Sequence, residues 1–249
     1  MPNLSDRPIF VVGAPRSGTT LMRSIIDAHP NICCPVWETG IFEKLATIVN
    51  GDIKLHLEKS PNFPMKRSDL LQWCQRSVED LMHCLVSEIG KPRWAEKTPA
   101  HVFHIDLIHE IFPQAQFIHM IRNGRDVVRS LQNMLFGPRD IRWSTKRWIE
   151  SVQAGRVSGE KLPKGQYLEI RYEDLLRNPE QILKQLCEFV REPWMPQMLD
   201  FHKPENNSWH LKHQPFQEKP IHNYRKLRLF EKIIFSWYAF RLMQELGYR

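Results

Sequence analysis

Ile9-Phe-Val-Val-Gly13-Ala-Pro-Arg-Ser-Gly18-Thr-Thr20-Leu-Met22 is the stretch from which the fold can be read. Its first four residues form a continuous apolar run closed by glycine, the pattern of a strand buried on both faces in a parallel sheet. Beyond the loop, Leu21, Met22, Ile25 and Ile26 recur at helical spacing until His29-Pro30 ends the pattern. The unit is therefore strand, loop, helix. Within the loop the spacing is G-x-x-x-x-G-T-T, a Walker A loop with Thr19 where lysine belongs. Its glycines let the backbone wrap closely around an anion, and the helix beginning near Thr20 adds its positive dipole end. A phosphorylated ligand is expected here.

Similar units follow along the chain. Arg93-Trp-Ala95 leads into an apolar-periodic segment from Val102 to Phe112, and Phe117 to Ile121 leads into Val127 to Leu135. Tyr167 to Ile170 reads as a fourth strand, followed by a helix from Ile182 to Val190 introduced by Asn178-Pro179. Strands alternating with helices imply βαβ units, hence an α/β fold with a central parallel sheet. Residues 41 to 89 and 143 to 160 read as mainly helical flanks. A last helix, about Leu229 to Leu246, carries an apolar stripe of Phe230, Ile233, Ile234, Trp237, Phe240 and Leu246 and stops at Gly247. Without repeats, low-complexity tracts or an obvious linker, residues 1 to 249 are expected to form one domain.

The chain carries a net charge of +7, and the excess is concentrated late: residues 203 to 249 hold nine Lys or Arg against four Asp or Glu, a net of +5. Such a patch fits nucleic acid, a small polyanion or a solvated basic surface. No nucleic-acid-binding module is recognisable, and the basic residues are not interleaved with an aromatic stripe. Five cysteines without C-x-x-C spacing point away from a disulfide framework or a zinc site. The N-terminal residues lack the features of a signal peptide, and no run approaches the length of a membrane span. These features predict a cytoplasmic protein, with neither nucleic acid nor a membrane span. The oligomeric state stays open, a homodimer included.

In a nucleoside triphosphatase the loop lysine reaches the β- and γ-phosphates. Its replacement by Thr19 argues against ATP or GTP turnover and so against a P-loop kinase, which together with a nucleotide-binding protein remains the alternative function. Arg16 offers a guanidinium fork instead. Arg122 ends another strand of the expected sheet. Parallel strands present their carboxyl ends to one crevice, so Arg122 would face the same ligand as Gly13 to Thr20.

These residues resemble the sulfotransferases that use 3′-phosphoadenosine-5′-phosphosulfate (PAPS). Pro15-Arg-Ser-Gly-Thr-Thr-Leu-Met22 is similar to the family's 5′-phosphosulfate loop, and Arg122-Asn-Gly-Arg-Asp-Val-Val-Arg-Ser130 to its 3′-phosphate motif. Glu96-Lys-Thr-Pro99 and Tyr172-Glu-Asp-Leu175 with Asn178-Pro179 also match, and the resemblance covers most of residues 8 to 195. The pattern is most similar to the tyrosylprotein-type and related bacterial enzymes. It implies a P-loop sulfotransferase fold that moves a sulfonate from PAPS to an acceptor hydroxyl, releases 3′-phosphoadenosine-5′-phosphate (PAP) and needs no metal. Arg16, Ser17, Gly18, Thr19 and Thr20 would hold the 5′ end and Arg122 and Ser130 the 3′-phosphate. Tyr172 would lie against the adenosine or the 3′-phosphate, unless it is half packed in the core. Among Arg225, Lys226 and Arg228, Lys226 is favoured as a late cation over the 3′-phosphate. The pattern departs from the tyrosylprotein type at Met134, where those enzymes carry another arginine.

In-line displacement at sulfur needs a group that activates the acceptor hydroxyl and a cation for charge growing on the bridging oxygen. By resemblance Glu38 is the base and Lys97 the cation. Glu38 lies one residue further from His29-Pro30 than in the tyrosylprotein type. Glu43, read as a solvated helical residue, and His101 and His104 compete for the role of base. Trp73, Trp143 and Trp148 could line an aromatic or sugar pocket or pack in the core. The acceptor carries no motif.

Overall fold

A computed structural model describes residues 7–51, 65–134, 140–210, 214–216 and 227–248. Its centre is a five-stranded parallel sheet of β1 (Ile9–Gly13), β2 (Ile32–Cys33), β3 (Arg93–Lys97), β4 (Gln116–Ile121) and β5 (Tyr167–Arg171), in the order β2-β3-β1-β4-β5. The expected α/β class is what is found. β2 was not expected, because two residues carry no periodic signal.

The sheet is buried on both faces because β1 alternates its apolar side chains between two cores. Phe10 and Val12 face a cluster with Phe42, Trp94, Val102, Ile108 and Phe117, while Ile9 and Val11 face Met22, Ile25, Ala95 and Ile118. On the first face lie α2 (Ile41–Asn50), α3 (Arg67–Val86) and α4 (Ile105–Ile111). On the other lies α1 (Thr19–Asp27). A third cluster joins α5 (Gly124–Gln132), α6 (Ile141–Gly159) and a C-terminal helix, Leu229–Glu245. After β5 the chain forms α7 (Tyr172–Arg177) and α8 (Pro179–Val190), which cover the α1 side, and the C-terminal helix is α9.

Several boundaries move for identifiable reasons. The segment expected as one helix from Val102 to Phe112 divides into a 3₁₀ turn, Pro99–Phe103, and α4, meeting at His104. α5 starts earlier than its apolar pattern because Asn123 caps it, the side-chain oxygen accepting the Arg125 N–H at 3.0 Å. In α9 most of the expected stripe faces outward, with Phe230, Ile233 and Phe240 exposed and Trp237 85% exposed, while Ile234 and Leu246 pack inward. The helix instead buries Phe235, Ala239, Leu242 and Met243 against the cluster shared with α6. It is apolar nearly all round, so periodicity alone did not select the packed face.

The strand order reverses at β1. The chain travels from β1 toward β2 and β3 on one side, then to β4 and β5 on the other. Open parallel sheets place their ligand crevice outside the carboxyl ends of the strands at such a point.

Candidate active site

Gly13 sits opposite Met120 of β4 at the carboxyl end of β1. Its φ is 145°, and a Cβ there would lie 2.6 Å from the Met120 carbonyl oxygen, so only glycine fits. Gly18, at φ 102°, caps α1 and is equally constrained: a Cβ would meet Tyr172 Cδ2 at 2.5 Å. The first turn of α1 holds no acidic residue, so its free N–H groups and dipole favour an anion. Ser17 and Thr19 are buried in the loop, while Thr20 is exposed. The Ser17 hydroxyl has no protein partner among the described residues. A close-fitting anion cradle results.

Arg16 adopts φ 73°, a left-handed conformation unusual for a side chain that is not glycine. Its Nε donates to Ser130 Oγ at 3.0 Å. Arg122 Nη1 donates to the Arg16 carbonyl at 3.2 Å, and its guanidinium lies 4.2 Å from the centroid of the Tyr172 ring. Arg16, Arg122, Ser130 and Tyr172 thus converge around Gly18.

This side of the crevice is held firmly from behind. Trp148 Nε1 donates to the Arg122 carbonyl at 3.2 Å, and Glu173 accepts both the Asn123 N–H and the Tyr248 hydroxyl, each at 2.9 Å. Trp148 is fully buried, so it packs and positions and lines no acceptor pocket. Trp143 is half-buried and Trp73 exposed on α3. Met134 lies just past α5. Arg225 and Lys226 fall outside the described residues, and Arg228 is the exposed N-cap of α9.

On the opposite side of β1, Lys97 ends β3 and pairs in register with Val11. It is 4% exposed, and its Nζ lies 2.5 Å from Oε1 of Glu38, a half-exposed side chain in the loop before α2. The two residues that resemblance singled out are thus brought together. His101 is placed differently. It is fully buried, with Nδ1 2.9 Å from Glu96 and Nε2 3.5 Å from Glu43. Burial alone would lower its pKa, but the two carboxylates, Glu96 foremost, raise it to about 9. A buried imidazolium between two carboxylates is unsuited to take a proton from an acceptor. Glu43, read from sequence as solvated, instead turns toward this imidazole. His104 is half-buried, and burial lowers its pKa.

Two side chains escaped the sequence reading. Trp37, beside Glu38, is 55% exposed and packs edge-on against Trp209 with centroids 5.0 Å apart. Adjacency to Glu38 was an available signal for Trp37. Trp209 had none, because it is brought there by tertiary contacts: Asp27 accepts from the backbone and hydroxyl of Ser208, and Trp209 Nε1 donates to the Cys34 carbonyl. Among the described residues no group of three or more His, Cys, Asp or Glu is arranged to hold a metal ion, and no helix is long and apolar enough to cross a membrane.

An anion cradle at the switch point of a parallel sheet, flanked by an arginine cluster and by a lysine–glutamate pair, marks an α/β fold with one polar crevice at the carboxyl ends of its strands. The model of the sulfotransferase family matches residues 8–196, and the chain belongs to that family. A Drosophila melanogaster protein-tyrosine sulfotransferase is 26% identical over 225 residues, 85% of this chain and 41% of that protein. A putative protein-tyrosine sulfotransferase of Caenorhabditis briggsae is 27% identical over 247 residues, 94% of this chain and 81% of that protein. An uncharacterised Aquifex aeolicus protein is 28% identical over 80% of this chain, which spans 27% of it. The chain thus spans less than half of two of these three relatives. Among solved structures, the sulfotransferase domain of the Synechococcus PCC 7002 olefin synthase superposes with a TM-score of 0.64 at 18% identity, over 94% of each chain. A mouse sulfotransferase, SULT7A1, complexed with PAP gives 0.54 at 15%, over 96% of this chain and 84% of that one. Both share the fold.

Proposed function

We propose that this protein transfers a sulfonate from PAPS to an acceptor hydroxyl as a single domain. The observation that carries this is the placement of two different sites on either side of one anion cradle. Lys97 and Glu38 lie toward β3, and Arg122, Ser130 and Tyr172 lie toward β4 and β5. A donor with phosphates at both its 5′ and 3′ positions needs two anion sites, and a triphosphate does not.

Gly13 to Thr20 would hold the 5′ end through backbone N–H groups, with the hydroxyls of Ser17, Thr19 and Thr20 available. Arg122, Ser130 and Arg16 would hold the 3′-phosphate, and Tyr172 would lie against the same region. The contact of Arg16 with Ser130 favours this side over the 5′-phosphate alone. In the reaction the acceptor oxygen forms a bond to sulfur as the bond from sulfur to the 5′-phosphate oxygen breaks. Glu38 takes the hydroxyl proton, and the Lys97 ammonium neutralises the charge left on that oxygen as PAP departs. Because Lys97 supplies this charge, activity is expected to persist in EDTA. The relatives named for protein tyrosine, together with exposed Trp37 beside Glu38, make a phenolic hydroxyl the first acceptor to try. Five free cysteines, four of them buried, support a reducing compartment such as the cytoplasm.

Calorimetry with PAP and with ATP tests the donor assignment. PAP is expected to bind at least tenfold more tightly, whereas a preference for ATP, with turnover dependent on magnesium, would favour the kinase alternative.

A further inference from the structure

The mechanism leaves one acid of Glu96-Lys97-Thr98-Pro99 unused. Glu96 is 2% exposed, yet its carboxylate is fully engaged. Oε1 accepts from Thr39 Oγ1 at 2.9 Å, from the Thr39 N–H at 3.3 Å and from Thr98 Oγ1 at 2.6 Å. Oε2 accepts from His101 Nδ1 at 2.9 Å, and that imidazole faces Glu43 in the first turn of α2. A carboxylate is removed from water at a large penalty unless donors replace its hydration, and four donors do so here. The partners are not scattered. Thr39 follows Glu38, Thr98 follows Lys97, and the Gly40 N–H donates to Thr98 Oγ1 at 3.4 Å.

Glu38 itself lies in an irregular stretch between β2 and α2 and is half-exposed, so core packing does not fix it. We infer that Glu96 is a positioning residue: it ties Thr39 to Thr98 and so sets the separation of the Glu38 carboxylate from the Lys97 ammonium. This rests on the proposed roles of Glu38 and Lys97. Proton transfer at a displacement centre tolerates errors of about 0.5 Å, and a shift of 1 Å lowers rates by roughly a hundredfold. A base on a loop therefore needs such an anchor.

Thr39→Val removes the hydroxyl donor while keeping shape and the Lys97 side chain. Its kcat with labelled PAPS and a phenolic acceptor is expected to fall tenfold or more, with KM for PAPS and PAP affinity within twofold of wild type. Backbone hydrogen exchange at Thr39 to Ile41 should accelerate, and Thr39→Ser should restore both. Wild-type kcat in Thr39→Val would overturn the inference whether or not exchange changed. So would a matched loss of PAP affinity, which would mark general disruption. Glu38→Ala separates this inference from the reading beneath it. Unchanged turnover there condemns Glu38 as the base, whereas unchanged turnover in Thr39→Val condemns the anchor.

Discussion

Replacing Gly18 by alanine perturbs the cradle in two ways that can be measured separately. The first is conformational, since φ 102° costs an L-residue about 1–2 kcal/mol. The second is steric: the new Cβ would stand 2.5 Å from Tyr172 Cδ2 and 3.1 Å from Cε2, so the ring must move, with a cost of about 1–3 kcal/mol for overpacking. Gly18→Ala is thus expected to destabilise by about 2–5 kcal/mol in urea unfolding. In a Tyr172→Ala background the steric part disappears, and the same substitution should cost only about 1–2 kcal/mol. The double-mutant cycle should therefore show coupling of about 1–3 kcal/mol. Because Tyr172 also lies against Arg122, Gly18→Ala should weaken PAP binding even where the protein stays folded. Additivity within about 0.5 kcal/mol would show that Tyr172 does not cover Gly18, and would refute this geometry.

Arg122→Ala should weaken PAP by roughly ten- to a hundredfold in calorimetry, the worth of one charge-assisted phosphate contact, and Ser130→Ala should weaken it less. Asp27→Ala should lower unfolding free energy by about 2–4 kcal/mol, because the buried Cys34 N–H and Ser208 lose their acceptor; thermal denaturation checks this. His101 has its folded pKa raised above 6.5 by Glu96 and Glu43, with His104 also nearby. Its contribution is fully present below pH 6.5 and is lost as pH rises through about 9. Stability should therefore fall between pH 7 and 10 by on the order of 3 kcal/mol, and His101→Gln should remove that slope.

Most of the sheet was legible in the sequence because β1 and β4 are buried on both faces and read as apolar runs, whereas in β3 only Trp94 and Ala95 carry that signal. The short β2 was invisible, since pairing of Ile32 and Cys33 with β3 is a tertiary event without periodicity. The outward face of α9 was misread because aromatic residues occur on all its sides. At the site, Gly18 and Arg122 could be placed by motif and strand end. The anchor at Glu96 could not, because Thr39 reaches it from a loop 57 residues away and His101 turns back to it only through the 3₁₀ turn Pro99–Phe103, which the helical pattern did not show. Likewise Trp209 meets Trp37 only through contacts of residues 208 and 209 with α1 and the chain after β2.

Sulfonate transfer from PAPS with Glu38 as the base is tested most directly by following the label of 35S-labelled PAPS. Wild-type protein in EDTA with a tyrosine-containing peptide should move the label to the acceptor and release an equal amount of PAP, while Glu38→Ala should bind PAP as before and move none. Label transfer that persists in Glu38→Ala, or turnover confined to ATP with magnesium, would contradict it.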